Sequence, residues 1–368
     1  MPAVGHDYSE RLARAAKGTD ESKLDGLIIT PSPDLLYLAG YDAPLLERLT
    51  ALIVRTDEPP LLIVPELERP RAAASPAGEL LDIQIWRDGD DPFDRVAQIL
   101  PDGKRYGTAD RMWAMHLLEL QRALPGSTFA LASTVLTRLR IRKDQGELQL
   151  LGRAGRSTDE AFSRVTRDGL SDRPEQEVSR RLAELLIEMG CESAAFAIVG
   201  SGPNAASPHH EAGDRRIRTG DAVVLDFGGR VGRYCSDMTR TVSVGEPEAE
   251  AKEIHEVVLQ AQEAAFQAVK PGVPAEEIDR AARRVIDEAG FADRFIHRTG
   301  HGIGLEEHEH PYIVEGNHEA LEPGMCFSIE PGIYLEGRFG VRIEDIVAVT
   351  DDGAVRLNHA PRDLTVVG

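Results

Sequence analysis

Two glycine-rich hairpins, each carrying two carboxylates, constrain the fold of this chain more than any other sequence feature. The first runs from VVLDFGG to YCSDMTRT and holds Asp226 and Asp237, and the second runs from IEPG to GVRIED and holds Glu330 and Glu344. Asp226 and Glu344 lie inside apolar, strand-like runs, where an isolated ionised carboxylate costs several kcal/mol. Positive charge must therefore accompany these acids in the folded chain.

Arginines or metal ions can supply that charge. Arg240 and Arg342 are near the acids in sequence, and an ion pair is the usual explanation for a single buried carboxylate. Four carboxylates on two similar hairpins favour metal ions instead. The segment TGHGIG adds His301 on a glycine-dense loop, where small residues let the backbone approach an ion or substrate. This loop lacks the full GxGxxG spacing and follows no clear strand, so we reject dinucleotide binding.

The type of ligand indicates the type of metal site. Four carboxylates and one imidazole form a hard set suited to Mn, Fe, Co or Zn in an expanded coordination shell, and the lack of thiolate argues against structural zinc. Four negative ligands neutralise two divalent ions, and two ions ~3.5–4 Å apart activate water for hydrolysis. We therefore predict two divalent metal ions per chain, held by Asp226, Asp237, His301, Glu330 and Glu344.

Composition excludes several other functions. Asp and Glu number 62 against 42 Lys and Arg, a net charge of −20, which disfavours nucleic acid and anionic membrane as partners. Residues 1–26 contain no apolar core of a signal peptide, and the longest apolar runs are far below the ~20 residues that span a bilayer. Three cysteines without CxxC spacing indicate a reducing compartment and buried, unpaired thiols. We therefore expect a soluble, cytoplasmic protein.

The length of 368 residues predicts two domains. Residues 1–143 alternate short β-branched runs with helical patterns, which predicts an α/β domain. Residues 144–368 predict an α+β domain, with helices grouped against a largely antiparallel sheet. Its predicted helices run through Leu148 to Val165, from Pro174 to Gly190, Glu248 to Val269 and Ala275 to Ala289, and its predicted strands cover Ala222 to Phe227, Thr239 to Val244, Met325 to Ile329 and Val341 to Val349.

Five segments resemble, in order and spacing, the motifs of the pita-bread metallopeptidases, the group that contains methionine aminopeptidase, prolidase (Xaa-Pro dipeptidase) and proline-specific aminopeptidase. They are PHHEAGDRRIRTGDAVVLDFGG, YCSDMTRT, HRTGHGIGLEEHEHP, SIEPGIY and VRIED. The resemblance covers residues 146–368 and implies a pita-bread catalytic domain. The segment YLAGY at 37–41 is similar to the N-terminal domain of prolidases and creatinases, which disfavours a minimal methionine aminopeptidase.

The resemblance also implies roles for individual residues. Asp237 and Glu344 would bridge the two ions, and Glu330 would serve as a ligand and as the general base and acid. His209 and His308 match histidines that contact the substrate carbonyl and the tetrahedral intermediate. The remaining implied substrate-site residues are His297 beside the proline pocket, Arg342 and Tyr334.

Neighbouring histidines leave part of that assignment open. His210 follows His209 where related proteins often have Gly, and His310 lies beside His308, so which of each pair faces substrate is unsettled by the sequence. We expect no direct role for the remaining histidines, His210, His310, His318 and His359.

These implications predict a metallopeptidase that hydrolyses the Xaa-Pro bond of small peptides. The bond is a tertiary amide without an N–H. Its cleavage is therefore favoured by an apolar slot for the proline ring and by a metal ion that polarises the carbonyl. We favour an Xaa-Pro dipeptidase that uses manganese and forms a homodimer. Alternatives are an Xaa-Pro aminopeptidase acting on longer peptides, a non-catalytic peptide-binding relative and a dinuclear phosphohydrolase. Creatinases share the fold without retaining the metal ligands, so the full ligand set favours a peptidase.

Overall fold

The chain was analysed as a computed structural model, which describes residues 6–368 as two compact units, one ending at Arg140 and one beginning at Ile141. Residues 1–5, which the expected N-terminal domain and the expected absence of a signal peptide included, lie outside the described residues. None of the helices described between residues 6 and 368 is long and apolar enough to cross a membrane.

The first unit is an α/β domain built on one six-stranded sheet of order β4-β3-β2-β1-β5-β6. Strands β1, β2 and β3 pair antiparallel, whereas the β3–β4, β1–β5 and β5–β6 pairs are parallel. The predicted α/β class is confirmed. Its strands are β1 Gly26–Ile29, β2 Ala51–Arg55, β3 Leu61–Pro65, β4 Asp82–Trp86, β5 Arg105–Thr108 and β6 Thr128–Leu131, and its helices are α1 Tyr8–Glu21, α2 Pro33–Ala39, α3 Arg69–Ala73, α4 Ala77–Leu80, α5 Pro92–Ile99, α6 Ala114–Ala123 and α7 Ser133–Arg140.

The second unit is the α+β domain that the sequence predicts. It has four long helices and a set of strands that pair antiparallel, apart from the parallel β10–β18 pair. Its helices are α8 Gln145–Asp168, α9 Glu175–Glu188, α10 Ala249–Ala268 and α11 Ala275–Glu288. Its strands are β7 Ser193–Ser201, β8 Ala222–Val231, β9 Tyr234–Cys235, β10 Met238–Val244, β11 Gly300–Gly302, β12 Glu309–Ile313, β13 Cys326–Ile329, β14 Gly332–Leu335, β15 Phe339–Arg342, β16 Asp345–Val349, β17 Ala354–Arg356 and β18 Thr365–Val367.

Two sheets of this unit carry the two carboxylate-bearing hairpins of the sequence. One has the order β18-β10-β8-β7 and the other the order β12-β11-β13-β16-β17, with β14 and β15 paired beside them. The predicted single strand from Val341 to Val349 is wrong, because it breaks between β15 and β16. At the break the Glu344 amide donates to the Thr239 carbonyl at 3.0 Å instead of continuing the ladder. This detour ties the second hairpin to β10 of the first sheet.

Glycines let these strands approach one another closely. A Cβ at Gly228 would lie 1.9 Å from the Ser236 carbonyl oxygen, and one at Gly300 would lie 1.9 Å from the Ser328 carbonyl oxygen. Only glycine fits at such positions. The first glycine of the TGHGIG loop thus allows close contact with a neighbouring strand, whereas the predicted approach to an ion or substrate stays a prediction.

The core of the second unit forms where α10 and α11 bury their apolar stripes against the β11-β13-β16 sheet. Ile254, Val258, Ile278 and Phe327 are fully buried in this cluster, and each such side chain contributes about 1.5–3 kcal/mol. The thiols of Cys191, Cys235 and Cys326 are free and buried, as predicted.

Candidate active site

The five predicted metal ligands come from five separate places in the second unit. Asp226 lies within β8 and His301 within β11, while Asp237 lies between β9 and β10. Glu330 follows β13 directly, and Glu344 occupies the break between β15 and β16. Strand pairing places Thr239 opposite Asp226, so the two arms of the first hairpin bring their acids to one end of the sheet.

Three of these side chains form a compact group. Asp237, His301 and Glu344 each offer a ligand atom, and these atoms lie within 4.8 Å of one another. Glu330 joins them, since its Oε1 is 3.3 Å from His301 Nε2, and Asp237 Oδ2 is 3.6 Å from the same nitrogen. Asp226 lines the same cavity. The structure thus brings all five predicted residues to one place.

His301 is oriented as a neutral ligand. Its Nδ1 lies 3.1 Å from the Gly302 carbonyl oxygen, which fixes the proton on Nδ1 and leaves the Nε2 lone pair facing the acids. Burial, helped by the nearby His308, lowers the pKa of His301 to about 3. The imidazole therefore does not supply the positive charge that the acids require.

Charge at the site is unbalanced in favour of the acids. Arg342 Nη2 donates to Asp226 Oδ2 at 2.5 Å, but Asp226 Oδ1 is buried with no hydrogen-bond partner. Burial, followed by repulsion from Glu344 and Asp226, raises the pKa of Asp237 well above its ordinary value. Burial, again with repulsion from neighbouring acids, raises the pKa of Glu344 in the same way. Arg342 in contact and Arg298 farther away are fewer than the four buried carboxylates, so these residues fit divalent cations.

Glu330 shares this environment. Burial raises its pKa to about 7, with repulsion from Asp226 adding to the effect and attraction by Arg342 opposing it. Ser328 Oγ donates to Glu330 Oε1 at 3.2 Å and accepts from the His301 amide at 3.0 Å, so one hydroxyl aligns both residues.

Of the two arginines near the acids in sequence, only Arg342 reaches the site. Arg240 instead donates to Asp345 Oδ1 at 2.6 Å and to the carbonyls of Glu344 and Ala360. The alternative that arginines alone neutralise the hairpin acids is therefore wrong for Asp237, Glu330 and Glu344, none of which forms an ion pair with a lysine or arginine in the described part of the chain.

A cavity of about 680 Å³ opens onto the acids, a size suited to a small peptide. His209, His297 and His308 all line it, as does Arg342. Tyr334 is buried behind the wall, where its hydroxyl accepts from Arg342 Nη1 at 2.9 Å and lies 2.8 Å from His297 Nε2. Arg342, Tyr334 and His297 thus form one hydrogen-bonded chain from Asp226 to the cavity.

The two members of each open histidine pair differ in position. His308 lines the cavity and packs edge-on to His301 with ring centroids 4.1 Å apart. His310 contacts the Tyr312 ring in a tilted arrangement and is not among the cavity residues. His209 lines the cavity, whereas His210 turns away to Glu175. His318 and His359 are not among the cavity residues.

The structure adds cavity residues that the sequence did not single out. Arg298 lines the cavity next to His297, and no ion pair joins it to an acid anywhere between residues 6 and 368. The sequence signal that could have identified Arg298 as a cavity residue is its position three residues before the predicted ligand His301. Four others give the cavity an apolar stretch of wall that no sequence motif marks: Phe196, Ile198, Pro208 and Ile296. Ser207 and Glu307 are the remaining additions, and both are polar.

A buried acid-rich site with one neutral histidine, opening into a peptide-sized cavity, defines a metal-dependent hydrolase. Comparison with known proteins identifies the family: residues 149–351 match metallopeptidase family M24, and residues 11–142 match the creatinase/prolidase N-terminal domain. The chain belongs to metallopeptidase family M24 and is a peptidase. The predicted pita-bread fold and the family resemblance are both confirmed.

Individual relatives agree with this assignment. The probable dipeptidase PepE of Mycobacterium tuberculosis is 49% identical over 364 residues, 98% of this chain and 96% of the relative. The crystal structure of dipeptidase PepE from Mycobacterium ulcerans superposes with a TM-score of 0.94 at 46% identity, covering 98% of each chain. The recombinant prolidase of Thermococcus sibiricus superposes with a TM-score of 0.92 at 36% identity, covering 99% of this chain and all of that one.

Proposed function

We propose that this protein is an Xaa-Pro dipeptidase that works with two divalent metal ions. The observation that carries the proposal is the surplus of buried carboxylates around His301, at the base of a cavity of about 680 Å³. Its similarity to proteins named dipeptidase and prolidase supports the same activity.

The proposed ligands are Asp226, Asp237, His301, Glu330 and Glu344. Bound ions of this kind polarise the scissile carbonyl and make water a stronger nucleophile at neutral pH. We propose manganese as the metal, with Co, Zn or Fe compatible with the same hard ligand set.

The chain's own side chains would then carry the remaining steps. Glu330 takes the proton from the attacking water and returns it to the proline nitrogen. His209 and His308, on the cavity wall, donate to the substrate carbonyl oxygen and to the charge that develops on it. The hydrogen-bonded chain of Arg342, Tyr334 and His297 keeps the His297 imidazole fixed at the cavity wall.

The apolar part of the cavity wall suits a proline side chain. Phe196 and Ile198 on β7, with Pro208 and Ile296, offer surface to a ring that has no N–H to satisfy. A substrate bound through apolar contacts and its polarised carbonyl does not need an N–H donor on the proline nitrogen for binding.

Arg298 favours dipeptides over longer peptides. The Arg298 guanidinium lies over the Tyr312 ring, 4.6 Å from its centroid, and forms no ion pair among residues 6–368. It matches the terminal carboxylate that a dipeptide carries directly on its proline. In a longer peptide that carboxylate is replaced by an amide, which gains no ion pair.

The test compares substrates and metal states. Metal-free protein reloaded with Mn²⁺ should release proline from Ala-Pro and leave Ala-Pro-Ala largely intact, and a chelator should abolish the reaction. Faster cleavage of the tripeptide would replace this function with Xaa-Pro aminopeptidase activity. Binding of both peptides without any cleavage would indicate a non-catalytic relative.

We further propose that the protein is a cytoplasmic homodimer. Analytical ultracentrifugation at micromolar concentration should give twice the chain mass of 40.2 kDa, and recovery of only monomer would contradict this. Cell fractionation tests the cytoplasmic location.

A further inference from the structure

His209 lines the cavity but has no anchor of its own. Its side chain makes no hydrogen bond or ion pair with any residue between 6 and 368, and it is exposed. Something other than its own contacts must fix its position. The loop that carries it, residues 201–213, connects the end of β7 to the approach of β8.

That loop closes around one buried carboxylate, Glu175 at the start of α9. Glu175 is completely buried, and its Oε1 accepts from the Ser201 amide at 2.8 Å and the Ser201 hydroxyl at 2.6 Å. Asn204 Nδ2 lies within 3.1 Å of both oxygens, and the Gly213 amide donates to Oε2 at 3.4 Å. Both ends and the middle of the loop are therefore tied to the same side chain.

His210 provides the tie nearest to His209. Its Nε2 lies 2.8 Å from Glu175 Oε2, and its side chain is only 20% exposed. The His210 amide also donates to the Ser207 carbonyl at 3.2 Å, which closes a turn with His209 at its third position. Fixing His210 therefore fixes the direction in which His209 leaves the turn.

Glu175 is ionised in this setting. Burial alone would raise its pKa, but hydrogen bonds from Ser201, His210 and Asn204 outweigh burial and hold the pKa below its ordinary value. Because an ionised carboxylate only accepts hydrogen bonds, His210 Nε2 is the donor in this contact.

We propose that Glu175 and His210 are positioning residues, which hold the 201–213 loop so that His209 meets the substrate. This inference rests on the proposed function, since it takes His209 as a substrate contact. His210 is not among the cavity residues and is none of the five proposed ligands, so its effect on turnover must pass through its neighbours on the loop. Of these, Ser207, Pro208 and His209 line the cavity, and His209 is the one proposed to donate to the substrate.

The chain contains a matched control for this arrangement. Helix α11 follows Pro274 as α9 follows Pro174, and its Glu276 lies 2.8 Å from His318 Nδ1 and accepts from the Gly316 amide at 3.0 Å. Residues 316–318 do not line the cavity. A histidine–glutamate contact at a helix start therefore occurs once beside the site, with the imidazole 20% exposed, and once away from it, with the imidazole 77% exposed.

The experiment uses the full-length, Mn²⁺-loaded protein and measures kcat, KM, bound metal and Tm with Ala-Pro. His210→Asn retains polarity but is too short to reach Glu175, whereas the amide of His210→Gln reaches the place of Nε2. We expect His210→Asn to lower kcat about 10- to 100-fold with unchanged bound metal, His210→Gln to recover most of that loss, and His318→Asn to match the wild type.

A double-mutant cycle separates positioning from general damage. In a His209→Ala background, His210→Asn should change kcat by less than about two-fold, because the residue through which it acts is gone. Full loss in that background, wild-type kcat in His210→Asn, or no recovery by His210→Gln would each overturn the inference. A wild-type protein that released no proline would instead reject the proposed function.

Discussion

Glu344 and Asp345 are consecutive residues, yet their carboxylates lie in two buried clusters of opposite character. Glu344 belongs to the acid cluster, with Asp226, Asp237, Glu330 and His301, where Arg342 is the one guanidinium that forms an ion pair among the residues described. Asp345 lies in the arginine cluster, within 3.6 Å of the guanidinium nitrogens of Arg240, Arg356 and Arg362. Both carboxylates are almost inaccessible to solvent.

The comparison shows that burial alone does not mark a metal site. In the arginine cluster the protein supplies its own counter-charge, and burial with repulsion from Arg362 lowers the pKa of Arg356. In the acid cluster burial and mutual repulsion raise the pKa values of Asp237 and Glu344. The sign of the uncompensated charge is what distinguishes a structural ion-pair network from a cation site.

Removing one acid from the acid cluster gives the largest expected effect. Glu330→Gln keeps the side-chain shape but abolishes proton transfer, so kcat on Ala-Pro should fall by about 10³-fold or more. Glu336→Gln is the control, since Glu336 is an exposed acid six residues away, and it should retain wild-type kcat. Steady-state proline release measures both variants, and substantial turnover by Glu330→Gln would remove the role proposed for Glu330.

The same substitution in each cluster should change stability in opposite directions. Asp345→Asn leaves the buried Arg240 guanidinium without its carboxylate, while Arg356 and Arg362 retain Glu263. The change should lower the free energy of unfolding by about 3–5 kcal/mol. Asp237→Asn relieves repulsion among acids, so the metal-free protein should become more stable than the metal-free wild type. Urea unfolding of chelated samples measures both, and a loss of stability in both variants would contradict the charge comparison.

Metal-free protein should also show an unusual dependence of stability on pH. Glu330 has a pKa of about 7 in the folded chain against 4.5 ordinarily, so between these values the folded state binds more protons than the unfolded state. Stability should therefore fall as pH rises from about 4.5 to about 7. Thermal unfolding across this range with chelator tests the sign, and added Mn²⁺ should remove the decline. A metal-free protein that became more stable over the same range would contradict the prediction.

The buried acids of the acid cluster could be predicted from the sequence, because their signals depend on residue type and spacing. Apolar runs around Asp226 and Glu344 predicted buried acids, and the glycine-dense segment TGHGIG singled out His301 as a further ligand candidate. Those signals are local, so a single segment carries each of them. Helix bounds such as Ala275–Glu288 followed from the same local periodicity.

Which acid each basic side chain contacts could not be predicted from the sequence, because these contacts join distant segments. Arg240 lies three residues after Asp237 and Arg342 two residues before Glu344. Yet Arg240 pairs with Asp345 and Arg342 with Asp226. The contact of Glu175 with His210 spans 35 residues and matches no motif. Only the three-dimensional arrangement decides which acid each base meets.

Arg298 belongs to neither cluster, and it gives the smallest expected effect. Its guanidinium lines the cavity without an acid partner among residues 6–368, so a substrate carboxylate would complete the pairing that the protein leaves open. Arg298→Gln should raise KM for Ala-Pro about 10-fold, the loss of roughly one charge-assisted hydrogen bond, with kcat little changed. KM for Ala-Pro-amide should stay the same in wild type and variant, and Arg294→Gln, an exposed arginine outside the cavity, should behave as wild type. An equal rise in KM for the acid and the amide would show that Arg298 shapes the cavity instead of reading the terminal charge.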